Sequence, residues 1–113
     1  MTFPRDLLLS LDTQLTQLLA KHGYVRNSLA PDGPFGSYLA EYQSRKSIVA
    51  LVWDGKEGWL SLRAGKRSYF SADTPTNELY FERFPGLAVS QPIYQAAAAK
   101  LVETLVERLA SGL

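Results

Sequence analysis

The spacing of hydrophobic residues changes twice along this chain, and that order constrains the fold more than any other feature. Between Arg5 and His22, leucines recur at helical spacing, at Leu8, Leu11, Leu15, Leu18 and Leu19. The same spacing returns from Ile93 to Leu109. Between these segments, apolar and polar residues alternate with the period of two that is typical of strands. The chain therefore predicts a helix, a run of strands and a second helix.

We expect the polar residues of the first helix to lie mostly off its leucine stripe, facing solvent. These residues are Asp12, Gln14, Thr16 and Gln17. The leucines then pack inwards, and we expect the two helices to meet through Leu11, Leu15, Leu18, Leu101 and Leu105.

Four or five strands are expected between the helices. The strongest strand patterns lie at residues 38–43, 47–53 and 59–64, and weaker ones at 24–29 and 67–71. Residues 79–84 fit either a short strand or an ordered apolar loop. Asp54-Gly55 predicts a hairpin, and Gly65-Lys66 predicts a turn. The segment 47–53 is apolar almost throughout, which is typical of a central strand covered on both faces.

Strands that follow one another without intervening helices argue against a parallel sheet. The predicted fold class is therefore α+β: an N-terminal helix, a four- to five-stranded antiparallel meander and a C-terminal helix, with both helices on one face of the sheet. The length of 113 residues suits a single domain spanning residues 1–113.

The composition excludes several kinds of chemistry. The chain has no cysteine, which rules out disulfides, thiolate nucleophiles and cysteine metal sites and fits a reducing cytoplasm. Asp6 and Asp12 interrupt the N-terminal leucines, so we expect neither a signal peptide nor a membrane partner. The one histidine, His22, falls at a helix end, where the helix dipole favours it. We therefore expect no enzyme activity, no catalytic residue, no cofactor and no metal site.

Aromatic residues carry the remaining functional signal. They make up 12% of the chain, and two amphipathic helices can cover only one face of a sheet. The other face would then meet a loop, solvent or a partner, and aromatic and arginine side chains are enriched in protein interfaces. The predicted partner surface comprises Tyr38, Tyr42, Trp53, Trp59, Arg63 and Arg67. The alternative, that these rings fill the core, is equally consistent with the pattern at Tyr38 and Tyr42.

The stretch GSYLAEYQSRKSIVALVWDGKEGWLSL, residues 36–62, resembles small, mostly uncharacterised bacterial α+β proteins. Some of these serve as immunity proteins against polymorphic toxins. The resemblance implies a non-catalytic inhibitor that binds one toxin domain.

Three functional hypotheses remain. The first is a non-enzymatic protein-binding module, including an immunity-type inhibitor, for which a homodimer is also open. The second is a small-molecule or peptide binder, or a weak enzyme, with a pocket between helices and sheet. The third is a nucleic-acid accessory protein that uses Arg63, Lys66 and Arg67. The net charge of +1 argues against the third.

Overall fold

The computed structural model describes residues 5–27, 33, 36–66, 77–84 and 91–112. Two helices flank five strands, and the elements in chain order are α1 (Arg5–Ala20), β1 (Val25–Arg26), β2 (Tyr38–Gln43), β3 (Ser47–Asp54), β4 (Trp59–Lys66), β5 (Asn77–Arg83) and α2 (Gln91–Ala110). The strands form one antiparallel sheet in the order β1-β2-β3-β4-β5. The predicted α+β fold is confirmed.

Strand boundaries differ from the predicted ones mainly in β4. The predicted turn at Gly65-Lys66 is wrong, because Gly65 lies opposite Ile48 and Lys66 opposite Ser47 in the β3–β4 ladder. Strand β3 begins at Ser47, and pairing its whole length requires β4 to continue to Lys66. The ambiguous segment at residues 79–84 lies largely in strand β5, and the predicted strand at 67–71 lies outside the described residues.

One hydrophobic core lies between the helices and the sheet. Leu11 and Leu15 of α1 and Leu101 and Leu105 of α2 are fully buried in it, and Leu18 is half-buried against it. The sheet contributes alternate residues of β2, β3 and β4 together with one residue of β5, namely Tyr38, Ala40, Tyr42, Val49, Leu51, Trp53, Leu60, Leu62, Ala64 and Tyr80. Both helices therefore cover the same face, as expected.

The opposite face of the sheet carries the other residues of each strand. Strand β3 is central, and Ile48 and Ala50 on this second face are nearly as buried as Val49 and Leu51 on the first. The prediction of a central strand covered on both faces is confirmed for this half of β3. In the described part of the chain, no helix has the length and apolar composition needed to cross a membrane.

The β3–β4 hairpin begins at Asp54, as the sequence predicts. The Asp54 side chain accepts hydrogen bonds from the backbone N–H groups of Lys56 and Glu57 through Oδ1, at 3.0 and 2.9 Å. Gly58 closes the loop with a φ of 74°, and its N–H donates to the Asp54 carbonyl at 2.8 Å. The left-handed backbone at Gly58 explains why the loop runs to this glycine rather than ending at Gly55.

Replacing Leu15 with alanine tests the packing of α1. Leu15 is fully buried, so Leu15→Ala is expected to lower the free energy of unfolding by about 2–5 kcal/mol. The matched control is Leu9→Ala in the same helix, where the side chain is 42% exposed and the expected change is below about 0.5 kcal/mol. Denaturant unfolding measures both variants. An equally small loss for Leu15→Ala would contradict the packing.

Candidate functional site

A buried carboxylate joins the first helix to the sheet. Asp12 of α1 is only 6% exposed, although charged residues are rarely buried without a partner. Its Oδ2 lies 2.8 Å from Nη2 of Arg26, and its Oδ1 accepts from Arg26 Nε at 3.0 Å. The hydroxyls of Tyr38 and Tyr42 donate to Oδ2 and Oδ1, each at 2.5 Å. Each carboxylate oxygen therefore accepts from the arginine and from one tyrosine.

These contacts hold each member of the cluster in its ordinary charge state. Burial alone would raise the pKa of Asp12, but the hydrogen bonds from Arg26, Tyr38 and Tyr42 outweigh it and lower that pKa below 3.8. The carboxylate in turn raises the pKa of Arg26. Burial, followed by the neighbouring carboxylate, raises the pKa of Tyr38 to about 12 and also raises that of Tyr42.

Proton transfer near neutral pH requires a group whose pKa lies close to the working pH. The pKa values in this cluster move away from neutrality, so the arrangement does not favour general acid or base catalysis. The cluster instead attaches α1 to β1 and β2 through charge-assisted hydrogen bonds.

Three residues of the predicted partner surface lie in the core. Tyr38, Tyr42 and Trp53 are almost completely buried under the helices, so the prediction that they form an exposed surface is wrong. Alternation along a strand shows which residues share a face, but not which face the helices cover. The Asp12 carboxylate binds both tyrosine hydroxyls, which removes the main cost of burying them.

The remaining described members of that surface lie on the opposite face of the sheet. Trp59 and Arg63 of β4 are both half-buried there, and Arg67 lies outside the described residues. The strand register places Leu39, Val52, Ser61 and Phe81 in one row across four strands. We define the outer patch as this row together with Trp59 and Arg63.

The outer patch is apolar and aromatic at its solvent-facing surface. Phe81 is 41% exposed and Leu39 is 43% exposed, while Val52 is half-buried between them. The ring of Trp59 packs on that of Phe81, with 5.6 Å between centroids and a tilt of 36°. Neither helix reaches this face, because both lie on the other side of the sheet.

Arg63 is held across the outer patch by three neighbours. Its guanidinium carbon lies 5.4 Å from the centroid of the Trp59 ring, and its Nε donates to Oγ of the buried Ser61 at 3.2 Å. Its Nη2 lies 3.9 Å from Oε1 of Glu78 on β5. A β-bulge in the β4–β5 ladder skips Leu79 and brings Glu78 opposite Arg63. The arginine is therefore ordered before any partner arrives.

The sequence analysis missed the Asp12 cluster. Asp12 was expected to lie off the leucine stripe, yet it stands four residues after Leu8 and three before Leu15, which places it on the same helix face as both. That spacing was the available signal for a buried carboxylate. Its partner Arg26 carries no local signal, because fourteen residues separate the two in sequence.

The other predicted sites have simple outcomes. His22 lies in the exposed turn after α1, and its N–H donates to the Leu19 carbonyl at 2.9 Å, as befits a helix end. Among the described residues, no group of three or more His, Cys, Asp or Glu side chains has the arrangement of a metal site. Comparison with known proteins finds no matching family model, no matching curated protein and no matching solved structure.

Removing one hydroxyl from the cluster tests its strength. Tyr42→Phe deletes a buried hydrogen bond to a charged group, so the free energy of unfolding is expected to fall by about 1.5–3 kcal/mol. Tyr24→Phe is the control, because Tyr24 is a buried tyrosine whose hydroxyl makes no hydrogen bond with a described residue. Denaturant unfolding of both variants, with m-values compared, measures the difference. Equal losses of unfolding free energy in the two variants would show that the hydrogen bond from Tyr42 to Asp12 does not stabilise the fold.

The pH dependence of stability provides a second test of Asp12. Folding lowers the pKa of this carboxyl below 3.8, so its contribution is complete above that pH and is lost as the pH falls through the folded pKa. The free energy of unfolding should therefore drop on acidification below about pH 4. The drop should be smaller in Asp12→Asn and unchanged in Asp6→Asn, which alters an exposed acid of the same helix. Identical acid profiles for the wild type and Asp12→Asn would contradict the prediction.

Proposed function

We propose that this protein is a non-enzymatic, cytoplasmic protein-binding module that binds its partner through the outer patch. The observation that carries the proposal is the outer patch itself, with Leu39 and Phe81 exposed at the two ends of its row, on a sheet face that neither helix covers. Isolated exposed apolar residues are common on protein surfaces, but a contiguous group with an ordered arginine is typical of interaction sites.

The composition of the outer patch supports a protein partner. Tryptophan and arginine are among the side chains that most often dominate binding free energies, and Trp59 and Arg63 lie in contact here. Arg63 also loses little side-chain freedom on binding, because Ser61 and Glu78 already hold it. A partner would need an apolar centre to cover Phe81 and Leu39, and an acceptor group for the arginine.

The class of partner that we favour is a bacterial toxin domain, which would make the protein an immunity-type inhibitor. The resemblance of residues 36–62 to immunity proteins supports this choice, and β2, β3 and the start of β4 in that stretch supply most of the outer patch. An inhibitor needs a preformed binding surface and no catalytic group, and the pKa shifts in the Asp12 cluster are consistent with such a role.

A binding assay with one candidate partner tests the proposal. The candidate is the product of the gene immediately upstream, and complex formation is measured by calorimetry and by growth rescue on co-expression. Phe81→Asp places an unpaired charge at the β5 end of the outer patch, beside Trp59, and is expected to weaken binding at least about thirtyfold, as loss of a hot-spot residue does. The thermal unfolding of this variant should stay close to that of the wild type, since Phe81 is 41% exposed.

The matched control is Ile93→Asp on α2. Ile93 is 49% exposed and lies away from the outer patch, in the first turn of a helix where an acidic residue is tolerated. It should bind as the wild type does. Equal loss in both variants would contradict a specific patch. Concentration-dependent dimerisation that Phe81→Asp abolishes would show that a second copy occupies the patch and would overturn the foreign-partner proposal.

A further inference from the structure

A second candidate site lies at the end of the sheet where α1 meets the β2–β3 turn. Two adjoining depressions open there, of about 460 and 320 Å³. They share Gly23, Ser44 and Arg45 in their linings, so they form one continuous surface feature, which we call the Arg45 cleft. Each depression by itself has a volume within the roughly 300–1,000 Å³ that is typical of small-ligand sites.

Local backbone features shape both walls of the Arg45 cleft. After α1, Gly23 adopts a φ of 84°, and a Cβ built on it would meet nothing within 4 Å, so the wall is open at this point. On the other wall, Ser44 Oγ accepts hydrogen bonds from the N–H groups of Lys46 and Ser47, at 3.3 and 3.0 Å. These bonds fix the turn that carries Arg45 and Lys46.

The charged side chains that line the cleft are all cationic, namely Arg26, Arg45 and Lys46. Arg26 and Arg45 line the larger depression, and His22, Arg45 and Lys46 line the smaller one. No Asp or Glu belongs to either lining in the described part of the chain. Arg26 forms an ion pair with Asp12. Arg45 and Lys46 are exposed and form no ion pair with any described residue. Two uncompensated cations therefore face one opening.

Arg26 is oriented so that part of its guanidinium remains available. An arginine has five N–H donors; Nε and Nη2 donate to Asp12, and Nη1 donates to the Asn27 carbonyl. Two N–H groups are left by these contacts. The Arg26 side chain is 23% exposed, so part of it is in contact with solvent. The buried carboxylate thus acts as a positioning group for a cation at the wall of the cleft.

We infer that the Arg45 cleft binds a phosphomonoester group, with Arg26, Arg45 and Lys46 as its charged contacts. A phosphate dianion matches two uncompensated cations better than a single carboxylate does. Arginine binds phosphate oxygens through paired N–H groups and lysine binds them as a point charge, so both kinds of contact are present. This site is separate from the outer patch and does not depend on the proposed protein partner.

Chemical-shift titration of the whole protein tests the inference. The probes are inorganic phosphate and O-phosphoserine, added at constant ionic strength with sodium chloride as the balancing salt. Saturable shifts of the backbone amides of Gly23, Asn27 and Arg45 are expected, with dissociation constants in the millimolar range that suits a small open site. Tighter binding of O-phosphoserine would identify an organic phosphomonoester as the ligand, and tighter binding of inorganic phosphate would identify the free ion.

The decisive variant is the double change Arg45→Ala with Lys46→Ala. Both residues are exposed, so the fold should persist, and affinity should fall about tenfold for the loss of two charged contacts. Arg26→Lys keeps the charge but removes the paired N–H donors and should also weaken binding. The control Arg83→Ala removes an exposed arginine at the opposite end of the sheet and should leave binding unchanged.

Three results would overturn the inference. The first is a set of chemical shifts that do not saturate with phosphate, and the second is a phosphate affinity that is unchanged in the double variant. The third is an equal loss of phosphate affinity in Arg83→Ala, which would indicate general charge attraction. An alternative role for the cations is to balance the negative end of the α1 dipole. That role predicts a lower thermal stability for the double variant with phosphate affinity unchanged, which also counts against the site.

Discussion

The carboxylate of Asp12 connects α1 to β1 and β2, two strands that also pair with each other through the backbone. Arg26 brings β1 to the helix, and Tyr38 and Tyr42 bring the inner face of β2 to it. Strand β1 has only two residues, so its ladder with β2 is short. A strand of that length gains little from backbone pairing alone, and the ion pair supplies a specific second attachment.

The same carboxylate favours the tyrosine face of β2 for the core. Shifting a strand by one residue exchanges its two faces, so a sequence of alternating residues specifies two faces without assigning either to the core. In β2, one face carries Tyr38, Ala40 and Tyr42, and the other carries Leu39 and Glu41. Apolar content alone does not separate these faces clearly. The acceptors on Asp12 decide in favour of the tyrosines.

Local patterns in the sequence were sufficient to predict most of the fold, and the reasons are physical. Helical spacing identified both helices, and alternation identified β2, β3 and most of β4, because these patterns depend on neighbouring residues. The face of β2 was assigned incorrectly, because the bonds of Tyr38 and Tyr42 to Asp12 join residues that are distant in sequence. For the candidate sites, Trp59 and Arg63 were named from composition. Leu39 and Phe81 were missed, because the row that joins them exists only in the strand register.

A buried ion pair needs an explanation beyond stability, since well-packed apolar residues of similar volume often stabilise a core as well. Here the pair has two geometric consequences that apolar residues could not provide. It selects the tyrosine face of β2 for the core, which leaves Leu39 on the outer patch. It also fixes the Arg26 guanidinium with N–H groups beside the Arg45 cleft. Both proposed binding surfaces therefore adjoin strands that this carboxylate attaches to α1, so its removal should perturb the two surfaces together.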